Sequence, residues 1–396
     1  MNALFVLYHD FTANSASHVH SLANALADLG VESAVCVPDN LPSVDTIGGE
    51  PRYQPLLFAD VLAGKLRFKD GRGPDVIHAW TPREINRQFI EKALPVTGGS
   101  AKLVIHLEDN EEHITARSMG RKWRDLQRAS LADLDAGVPL NLSHPIRYRQ
   151  LMERADAATV IVDRLGELVP KGKPIEEVWC SADEELFRNV PVDYERRKKF
   201  GLPHNTVIVY PGNVHAANAA EVRSLYTALA LLNREGCPVT LVRAGRDFHP
   251  FLEGDGAWAR RHVVELGLVE HKHMPWVLAM ADLFVQPGRP GEFNDYRFPS
   301  KMPEFLATGR PVVLPASNIA LRMRHREDAY IVPEANAIHI ADAVHEIVKD
   351  RDLAARLATG ARRFFDERLS WKQGAKKLLS LYERIMAPRS AGAGSR

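Results

Sequence analysis

Short, continuously apolar segments alternate along this chain with longer segments whose apolar residues recur at helical spacing. Continuous apolar runs are typical of strands buried on both faces, and the longer pattern is typical of amphipathic helices. In the first half, a helix over 17–30 ends at Gly30. Strands are predicted over 3–8, 33–37, 75–80, 102–107 and 155–162. This half therefore predicts a parallel sheet with helices on both faces.

The second half repeats the pattern. Helices are predicted over 221–236 and 337–350, and strands over 206–213, 239–245, 282–288, 310–315 and 328–333. We therefore predict two Rossmann-like, doubly wound domains facing each other across a cleft, with ligands beyond the carboxyl ends of the strands. The predicted bounds are a first domain over 1–188, a second over 189–375, a helix over 376–388 packing towards the first domain and a disordered tail over 389–396.

Composition narrows the class of protein. The 396 residues are 45% hydrophobic and 26% charged, with a formal net charge of +1, which is ordinary for a globular protein and argues against nucleic acid as a partner. Three cysteines without a CxxC pair indicate a reducing compartment and no structural zinc site. No leader-like N-terminus or membrane-length apolar run occurs, so we expect a cytoplasmic protein, alternatively one held peripherally at the inner membrane face.

The most informative stretch is RFPSKMPEFLATGRPVV, over 297–313. It predicts a short helix with Ser300 as its cap, Pro303 in its first turn and Gly309 at its end. Lys301 would add charge where a helix already favours an anion, and Glu304 could accept hydrogen bonds from vicinal hydroxyls. This combination indicates a nucleoside diphosphate. The alternative is a surface ion pair between Lys301 and Glu304.

Five segments, in this order, resemble the nucleotide-sugar-binding half of glycosyltransferase family 4, which has the GT-B fold: YPGNVHAANAAEVRSLYTAL, LVRAGRD, LGLVEHKHMPWVLAMADLFVQPG, FPSKMPEFLATGRPVV and LSWKQGAKKLLSLYERI. The resemblance covers 205–385 and is looser in the first half. It implies a retaining transferase, active in glycan or glycoconjugate biosynthesis such as that of polysaccharides, which moves a sugar from a nucleotide diphosphate sugar to an acceptor hydroxyl. The acceptor is undetermined, and no cofactor is implied.

The resemblance also implies donor-binding residues, and the chain departs from the family at several of them. Members often carry two glutamates; this chain keeps the second, Glu304, and has Tyr296 at the first. The family's basic pair after the first strand of the second domain is replaced by Asn213, His215 and Asn218. Diphosphate contacts are therefore expected from Lys301, Arg297 and the backbone of Pro299–Lys301. The predicted nucleotide-binding residues are Gly212, Asn213, Gly245, Arg297, Pro299, Ser300, Lys301 and Glu304.

In the first half, His106 ends a predicted strand and is followed by an acidic cluster. We predict catalytic roles for His106, Asp109 and Lys301, with Asp109 acting on an acceptor proton. For His106 the alternative is an ordinary hydrogen-bonded structural histidine. Residues predicted to contact the sugar or acceptor are Ser15, His18, His78 and Tyr296.

Three further patterns suggest sites of other kinds. The DLD stretch over 133–135 and the HKH stretch over 271–273 are poor metal sites, so no metal is expected. The segment 117–130 carries five basic residues with Met119, Trp123 and Leu126. It predicts a basic amphipathic helix, either with its apolar stripe on the core or in peripheral membrane contact.

Two alternatives to sugar transfer remain open at this point. The missing first glutamate and the missing basic pair favour a non-catalytic nucleotide- or sugar-binding protein. The same fold would also suit a GT-B isomerase of nucleotide sugars.

Overall fold

A computed structural model describes residues 1–202, 205–252, 254 and 256–387. The chain forms two compact units, one of Met1–Cys180 with the chain from Trp371, the other of Ser181–Ser370. The unit boundaries thus lie at 180 and 371 rather than at the predicted 188 and 376. The tail predicted over 389–396 lies outside the described residues, as does residue 388.

The first unit is built on a seven-stranded parallel sheet in the order β3-β2-β1-β4-β5-β6-β7. Its strands are β1 (Asn2–Leu7), β2 (Glu32–Val37), β3 (Gln54–Leu57), β4 (Val76–Trp80), β5 (Lys102–Leu107), β6 (Ala157–Val160) and β7 (Ile175–Glu177). All six residues of β1 are buried, as expected for a strand covered on both faces. The strand order reverses beside β1, which makes the carboxyl ends of β1 and β4 a topological switch point.

Helices cover this sheet. They are α1 (Asn14–Asp28), α2 (Phe58–Leu62), α3 (Glu84–Val96), α4 (Glu111–Ser118), α5 (Trp123–Leu126), α6 (Leu131–Gly137) and α7 (Arg147–Arg154). Short 3-10 turns span Leu41–Thr46 and Asp163–Leu168. The last helix of the chain, α15 (Trp371–Met386), packs on α1 in this unit. Leu22 of α1 and Leu378 and Leu381 of α15 share one apolar core.

The second unit has a six-stranded parallel sheet in the order β10-β9-β8-β11-β12-β13. Its strands are β8 (Thr206–Pro211), β9 (Val239–Ala244), β10 (Val263–Glu265), β11 (Leu283–Val285), β12 (Val312–Pro315) and β13 (Tyr330–Val332). Its helices are α8 (Tyr194–Lys199), α9 (Ala219–Arg234), α10 (Ala257–Arg260), α11 (Met274–Leu278), α12 (Met302–Ala307), α13 (Ala337–Lys349) and α14 (Arg351–Arg368), with 3-10 turns at His271–His273 and Asn318–Arg322. Here the order reverses beside β8.

The predicted basic helix over 117–130 is wrong as a continuous helix. Helix α4 ends at Ser118, Gly120 has a φ of 62°, and α5 contains only Trp123–Leu126. A left-handed glycine ends a helix because the backbone can no longer continue the ladder. Leu126 is buried in a small apolar cluster with Met119 and Trp123 packed against it. The apolar residues of this segment thus cover a local core.

Within the described part of the chain, no helix combines the length and apolar character that crossing a membrane requires.

Candidate functional site

Helix α12 is anchored by its apolar residues at the carboxyl-end side of the second sheet. Met302, Phe305 and Leu306 are buried, and the Phe305 ring stacks on Phe284 of β11 with centroids 4.2 Å apart. The chain turns away after the helix at Gly309, which has a φ of 62°. This apolar attachment fixes the start of α12, and therefore Lys301, relative to the sheet.

The start of α12 differs from the prediction. Lys301, not Ser300, is the residue that precedes the helix, and no side chain caps it. The Met302 N–H donates to the Pro299 carbonyl at 2.9 Å, so Ser300 lies inside a tight turn. Pro299 has no N–H, and it therefore cannot contribute the backbone amide that was predicted for it.

Lys301 lies over the end of β8. Its ammonium is 4.3 Å from the centroid of the Tyr210 ring, a cation–π distance. A Cβ atom on Gly212 would come within 3.0 Å of Lys301 Nζ. The absence of a side chain at Gly212 therefore leaves room for the cation. The structure thus brings together two predicted site residues from distant parts of the second unit.

Gly245 meets the same loop through its backbone. It has a φ of 140°, and a Cβ atom there would lie 2.3 Å from the Gly212 carbonyl oxygen. The Gly212 N–H donates to the Ala244 carbonyl at 2.7 Å, and the Gly245 N–H donates to the Gly267 carbonyl at 2.7 Å. The backbone at the end of β9 therefore packs directly against that of the loop after β8, which explains glycine at position 245.

Asn213, His215 and Asn218, which stand where the family that the chain resembles has a basic pair, hold the loop after β8 together. Asn213 accepts the Arg246 N–H through its side chain at 2.9 Å and the Asn218 side-chain N–H through its carbonyl at 3.0 Å. The His215 N–H donates to Asn218 Oδ1 at 2.8 Å, and the His215 ring stacks on Phe248 at 5.0 Å. These asparagines therefore serve the loop's own structure.

Glu304 does not pair with Lys301, since the two side chains contact different partners. Glu304 Oε1 lies 2.9 Å from His271 Nε2. This hydrogen bond raises the pKa of His271 above its ordinary value, against a smaller opposing effect of burial. His271 is 68% exposed and Glu304 is 16% exposed at the side chain. The mostly buried carboxylate is thus bonded to a histidine that is open to solvent.

Arg297 belongs to a polar cluster that includes Glu221, which sequence reasoning missed. Arg297 donates to Asn294 Oδ1 at 3.1 Å and lies 3.9 Å from Glu221 Oε2. Asn294 donates to Glu221 Oε1 at 2.6 Å. Burial raises the pKa of Glu221, although Asn294 and the nearby cations act in the opposite direction. Tyr296 lies half-buried in the same loop. The cluster holds Arg297 beside the carboxyl group of Glu221, which partly offsets the positive charge of Arg297.

In the first unit, His106 is fully buried near the carboxyl end of β5. Its ring stacks on the Trp80 indole with centroids 3.8 Å apart, and its Nδ1 lies 2.8 Å from Thr159 Oγ1. Burial lowers the pKa of His106 to about 3. His106 is therefore neutral at physiological pH, and it can offer a hydrogen bond but not a charge.

Glu108 is the centre of a network that the sequence did not reveal. It accepts from the Trp80 indole at 2.8 Å and from the Ser15 hydroxyl, and its Oε1 lies 3.0 Å from His18 Nδ1. Burial alone would raise the pKa of Glu108, but the contacts with His18 outweigh it and lower the pKa to about 2. Burial would likewise lower the pKa of His18, but bonds to Cys180 and Glu108 raise it to about 10. Ser15 and His18 are thus both committed to Glu108.

This buried ion pair predicts a pH-dependent stability. The raised pKa of His18 stabilises the fold fully below 6.5 and loses that effect as pH rises towards about 10. The lowered pKa of Glu108 stabilises it above 4.5, and that effect is lost as pH falls towards about 2. We therefore expect His18→Gln to destabilise the protein most between these two limits. Thermal unfolding of both proteins at several pH values checks this, and a destabilisation equal at about pH 6 and pH 9 would contradict it.

His78 lies in the middle of β4 (Val76–Trp80), and Trp80 occupies the strand end. His78 is fully buried, and both its ring nitrogens are bonded inside the unit, to Tyr382 and Thr159. Asp109 lies half-buried between β5 and α4, on the carboxyl-end side of the sheet.

Thr81 is a further residue that the sequence pattern did not single out. It follows β4, precedes Pro82 and has a φ of 81°, although it is β-branched and fully buried. Such a conformation costs about 1–3 kcal/mol and often marks a functional position. Its N–H donates to the His106 carbonyl at 3.0 Å, and its hydroxyl has no hydrogen-bond partner among the described residues. The strain thus lies directly beside His106.

The stretches set aside as metal sites have other contacts. Asp133 bonds to Ser130 at the start of α6; Asp135 bonds to Arg147 and lies 3.2 Å from His144 Nε2. In the HKH turn, His273 stacks on Trp276 at 4.4 Å. Across the residues that the structure covers, His, Cys, Asp and Glu side chains form no group of three or more suited to a metal ion.

Residues 205–350 match the profile of the family described as Glycosyl transferases group 1. This range lies in the second unit and includes Gly212, Gly245, Lys301 and Glu304. The alpha-D-kanosaminyltransferase of Streptomyces kanamyceticus is 24% identical over 252 residues, which are 60% of this chain and 62% of that protein. The similarity thus extends over less than two thirds of that relative's length.

Solved structures share the fold over nearly the whole chain. HepE from Anabaena, in complex with UDP-glucose, matches with a TM-score of 0.67 at 15% identity, over 97% of this chain and 100% of HepE. Sucrose-phosphate synthase from Thermosynechococcus elongatus matches with a TM-score of 0.68 at 17% identity, over 98% and 100% of the two chains. The predicted fold class, two parallel-sheet α/β domains of the GT-B type, is confirmed.

Proposed function

We propose that this protein is a retaining glycosyltransferase that moves a sugar from a nucleoside diphosphate sugar to an acceptor hydroxyl. The observation that carries the proposal is the position of Lys301, whose ammonium lies over the Gly212 loop at the end of β8. Ligands of open parallel sheets bind beyond this edge. The family match over 205–350 and the UDP-glucose complex of HepE support sugar transfer as the reaction.

In this proposal the second unit binds the donor. Lys301 takes up the negative charge that grows on the diphosphate as the sugar leaves, and Arg297 assists it. Glu304 accepts hydrogen bonds from the ribose hydroxyls, and the base lies against the backbone near Gly245. Because the loop after β8 has asparagines in place of the family's basic pair, Lys301 carries more of the phosphate binding here.

We assign the acceptor to the first unit. His106 is neutral and can hydrogen-bond a hydroxyl, and Asp109 is the carboxylate proposed to act on the acceptor proton. Glu108 is not a candidate for that role, because Ser15, His18 and Trp80 already bond to it.

The direct test is binding and turnover of nucleoside diphosphate sugars. Mass spectrometry of the purified protein would identify a retained nucleotide. Calorimetry would then measure UDP-glucose binding, and UDP release would be followed with and without a panel of carbohydrate acceptors. We expect binding, and faster UDP release with the right acceptor. Failure to bind any nucleoside diphosphate sugar would overturn the proposal.

A non-catalytic nucleotide-binding protein is the second candidate, and the loop after β8 favours it. Asn213 and Asn218 bond to each other there, and residues 213–218 include no lysine or arginine. The same experiment distinguishes the candidates. Tight binding without UDP release would support a binding protein, whereas conversion of the donor without any acceptor would indicate an isomerase.

Replacing Glu304 with alanine is expected to weaken UDP binding about tenfold or more, because a charge-assisted hydrogen bond is worth about 1.5–3 kcal/mol. His271→Gln is the matched control, since it removes the imidazole partner of Glu304 but leaves the carboxylate. Calorimetry with UDP should show a large effect for the first variant and a small one for the second. Equal, wild-type affinities for both would show that Glu304 only holds His271.

We further propose that transfer needs no divalent metal, because Lys301 and Arg297 supply fixed positive charge to the diphosphate. Activity after treatment with EDTA and dialysis should therefore equal that of untreated protein. Strict dependence on added Mg²⁺ or Mn²⁺ would contradict this proposal.

A further inference from the structure

Four buried side chains of the first unit form one hydrogen-bonded relay, made of Tyr382, His78, Thr159 and His106. Tyr382 Oη lies 2.7 Å from His78 Nδ1, His78 Nε2 lies 2.9 Å from Thr159 Oγ1, and Thr159 Oγ1 lies 2.8 Å from His106 Nδ1. All four side chains are fully buried. The relay connects α15 to the strand end that carries His106.

The relay ends at the second ring nitrogen of His106. His106 Nε2 is buried and has no hydrogen-bond partner among the described residues. An unsatisfied buried polar atom destabilises the fold, and in a native protein it calls for an explanation. Whether this nitrogen donates or accepts depends on the direction of every hydrogen bond in the relay.

The direction can be derived by counting unsatisfied groups. Burial keeps both histidines neutral, since it lowers the pKa of His78 and of His106. Each ring therefore carries one N–H. If Tyr382 donates to His78, then His78 donates to Thr159 and Thr159 donates to His106. The hydroxyl protons of Tyr382 and Thr159 and the N–H of His78 are then all donated, and only the His106 Nε2–H lacks a partner.

The other directions are less favourable. The hydrogen bonds can instead run in the opposite direction, with His106 donating to Thr159, Thr159 to His78 and His78 to Tyr382. The Tyr382 proton and the His106 Nε2 lone pair then both lack partners. If both histidines donate to Thr159, the Thr159 proton and the His106 Nε2 lone pair both lack partners. Each of these arrangements leaves two buried groups unsatisfied rather than one, and is therefore less stable than the first.

We infer that His106 presents an N–H donor at Nε2, and that Tyr382, through His78 and Thr159, is the positioning residue that fixes this tautomer. A donor at Nε2 pairs only with an accepting oxygen and excludes His106 as a base through that atom. Because Nε2 is buried, a carbohydrate hydroxyl can reach it only after the groups that cover it move. The ligand part of this inference rests on the proposed function. The tautomer itself does not.

Imidazole nitrogen NMR of protein labelled with nitrogen-15 at its 16 histidines tests the inference without any substrate. The signals of His106 are those absent from His106→Gln. We expect the wild type to show a protonated Nε2 and an unprotonated Nδ1. A protonated Nδ1 would overturn the assignment.

Two variants test the role of the relay. In Tyr382→Phe both directions leave two unsatisfied groups, so His106 should become a mixture of tautomers, although Tyr382 and His106 are not in contact. Thr159→Val, which breaks the relay, should do the same, and Thr159→Ser should restore the single tautomer. A single Nε2–H tautomer retained in Tyr382→Phe would refute the positioning role.

Turnover measurements distinguish a failure of the relay inference from a failure of the proposed function. If the wild type transfers sugar, Thr159→Val should lower kcat and Thr159→Ser should recover it. If the NMR results are as expected but no nucleoside diphosphate sugar binds or reacts, the proposed function fails and the relay stands.

Discussion

Lys301→Ala is expected to lower kcat for sugar transfer by about 10²–10³-fold, with a much smaller change in the Kd of the donor. The ammonium lies over the Gly212 loop, at the place proposed for the diphosphate. Charge on the diphosphate grows as the sugar leaves, so a fixed cation stabilises the transition state more than the bound donor. Steady-state kinetics with UDP-glucose and calorimetry with UDP would measure the two effects.

The control for this variant is Lys349→Ala, which removes the same charge from an exposed position at the end of α13. It should leave kcat within about twofold of the wild type. Lys301→Ala should also keep its melting temperature nearly unchanged, since a cation–π contact at a partly exposed site contributes only about 0.5–1 kcal/mol. Near-normal turnover of Lys301→Ala would remove the main support for the proposed donor site.

Gly245→Ala is expected to destabilise the second unit by about 3–5 kcal/mol, through backbone strain and overpacking together. The residue has a φ of 140°, and the new Cβ would lie 2.3 Å from the Gly212 carbonyl oxygen and 3.1 Å from the Asn213 nitrogen. These are backbone atoms, so the loop after β8 must move. Because Lys301 contacts that loop, UDP binding should weaken as well. Scanning calorimetry and titration with UDP would test both expectations.

Gly236→Ala is the matched control in the same unit. Gly236 also has a positive φ, of 79°, but a Cβ atom there would meet nothing within 4 Å. It should therefore cost only the strain of the left-handed conformation, roughly 1–2 kcal/mol, and should not change UDP affinity. Equal losses of stability in the two variants would show that the approach of Gly245 to Gly212 is not tight.

Much of the fold was readable from the sequence because its signal is local. The apolar run over 3–8 became β1 (Asn2–Leu7), and the helical pattern over 17–30 became α1 (Asn14–Asp28). Strands covered on both faces must be apolar throughout, and that requirement appears in a few adjacent residues. Where the pattern failed, over 117–130, a single left-handed glycine decided the outcome.

Only part of the candidate site could be predicted from the sequence, again because the readable signal is local. Lys301, Glu304 and Gly309 stand close together in sequence, and a short helix fixed their spacing. Their partners could not be predicted in the same way. Glu304 bonds to His271 and not to Lys301, because the 3-10 turn before α11 brings that histidine to it. A contact between residues this far apart along the chain leaves no periodic pattern in the sequence.

The sequence by itself thus determined two parallel α/β domains and a lysine at the start of a short helix. These follow from apolar periodicity and turn chemistry, which act over a few residues. Only the tertiary structure decided that Glu108 would be enclosed by Ser15, His18 and Trp80, and that Tyr382 would reach His106 through His78 and Thr159. Those contacts depend on the order in which strands pair, β1 with β4, β4 with β5 and β5 with β6. Sheet order is set by the burial of whole faces, and it brings together side chains that lie far apart along the chain.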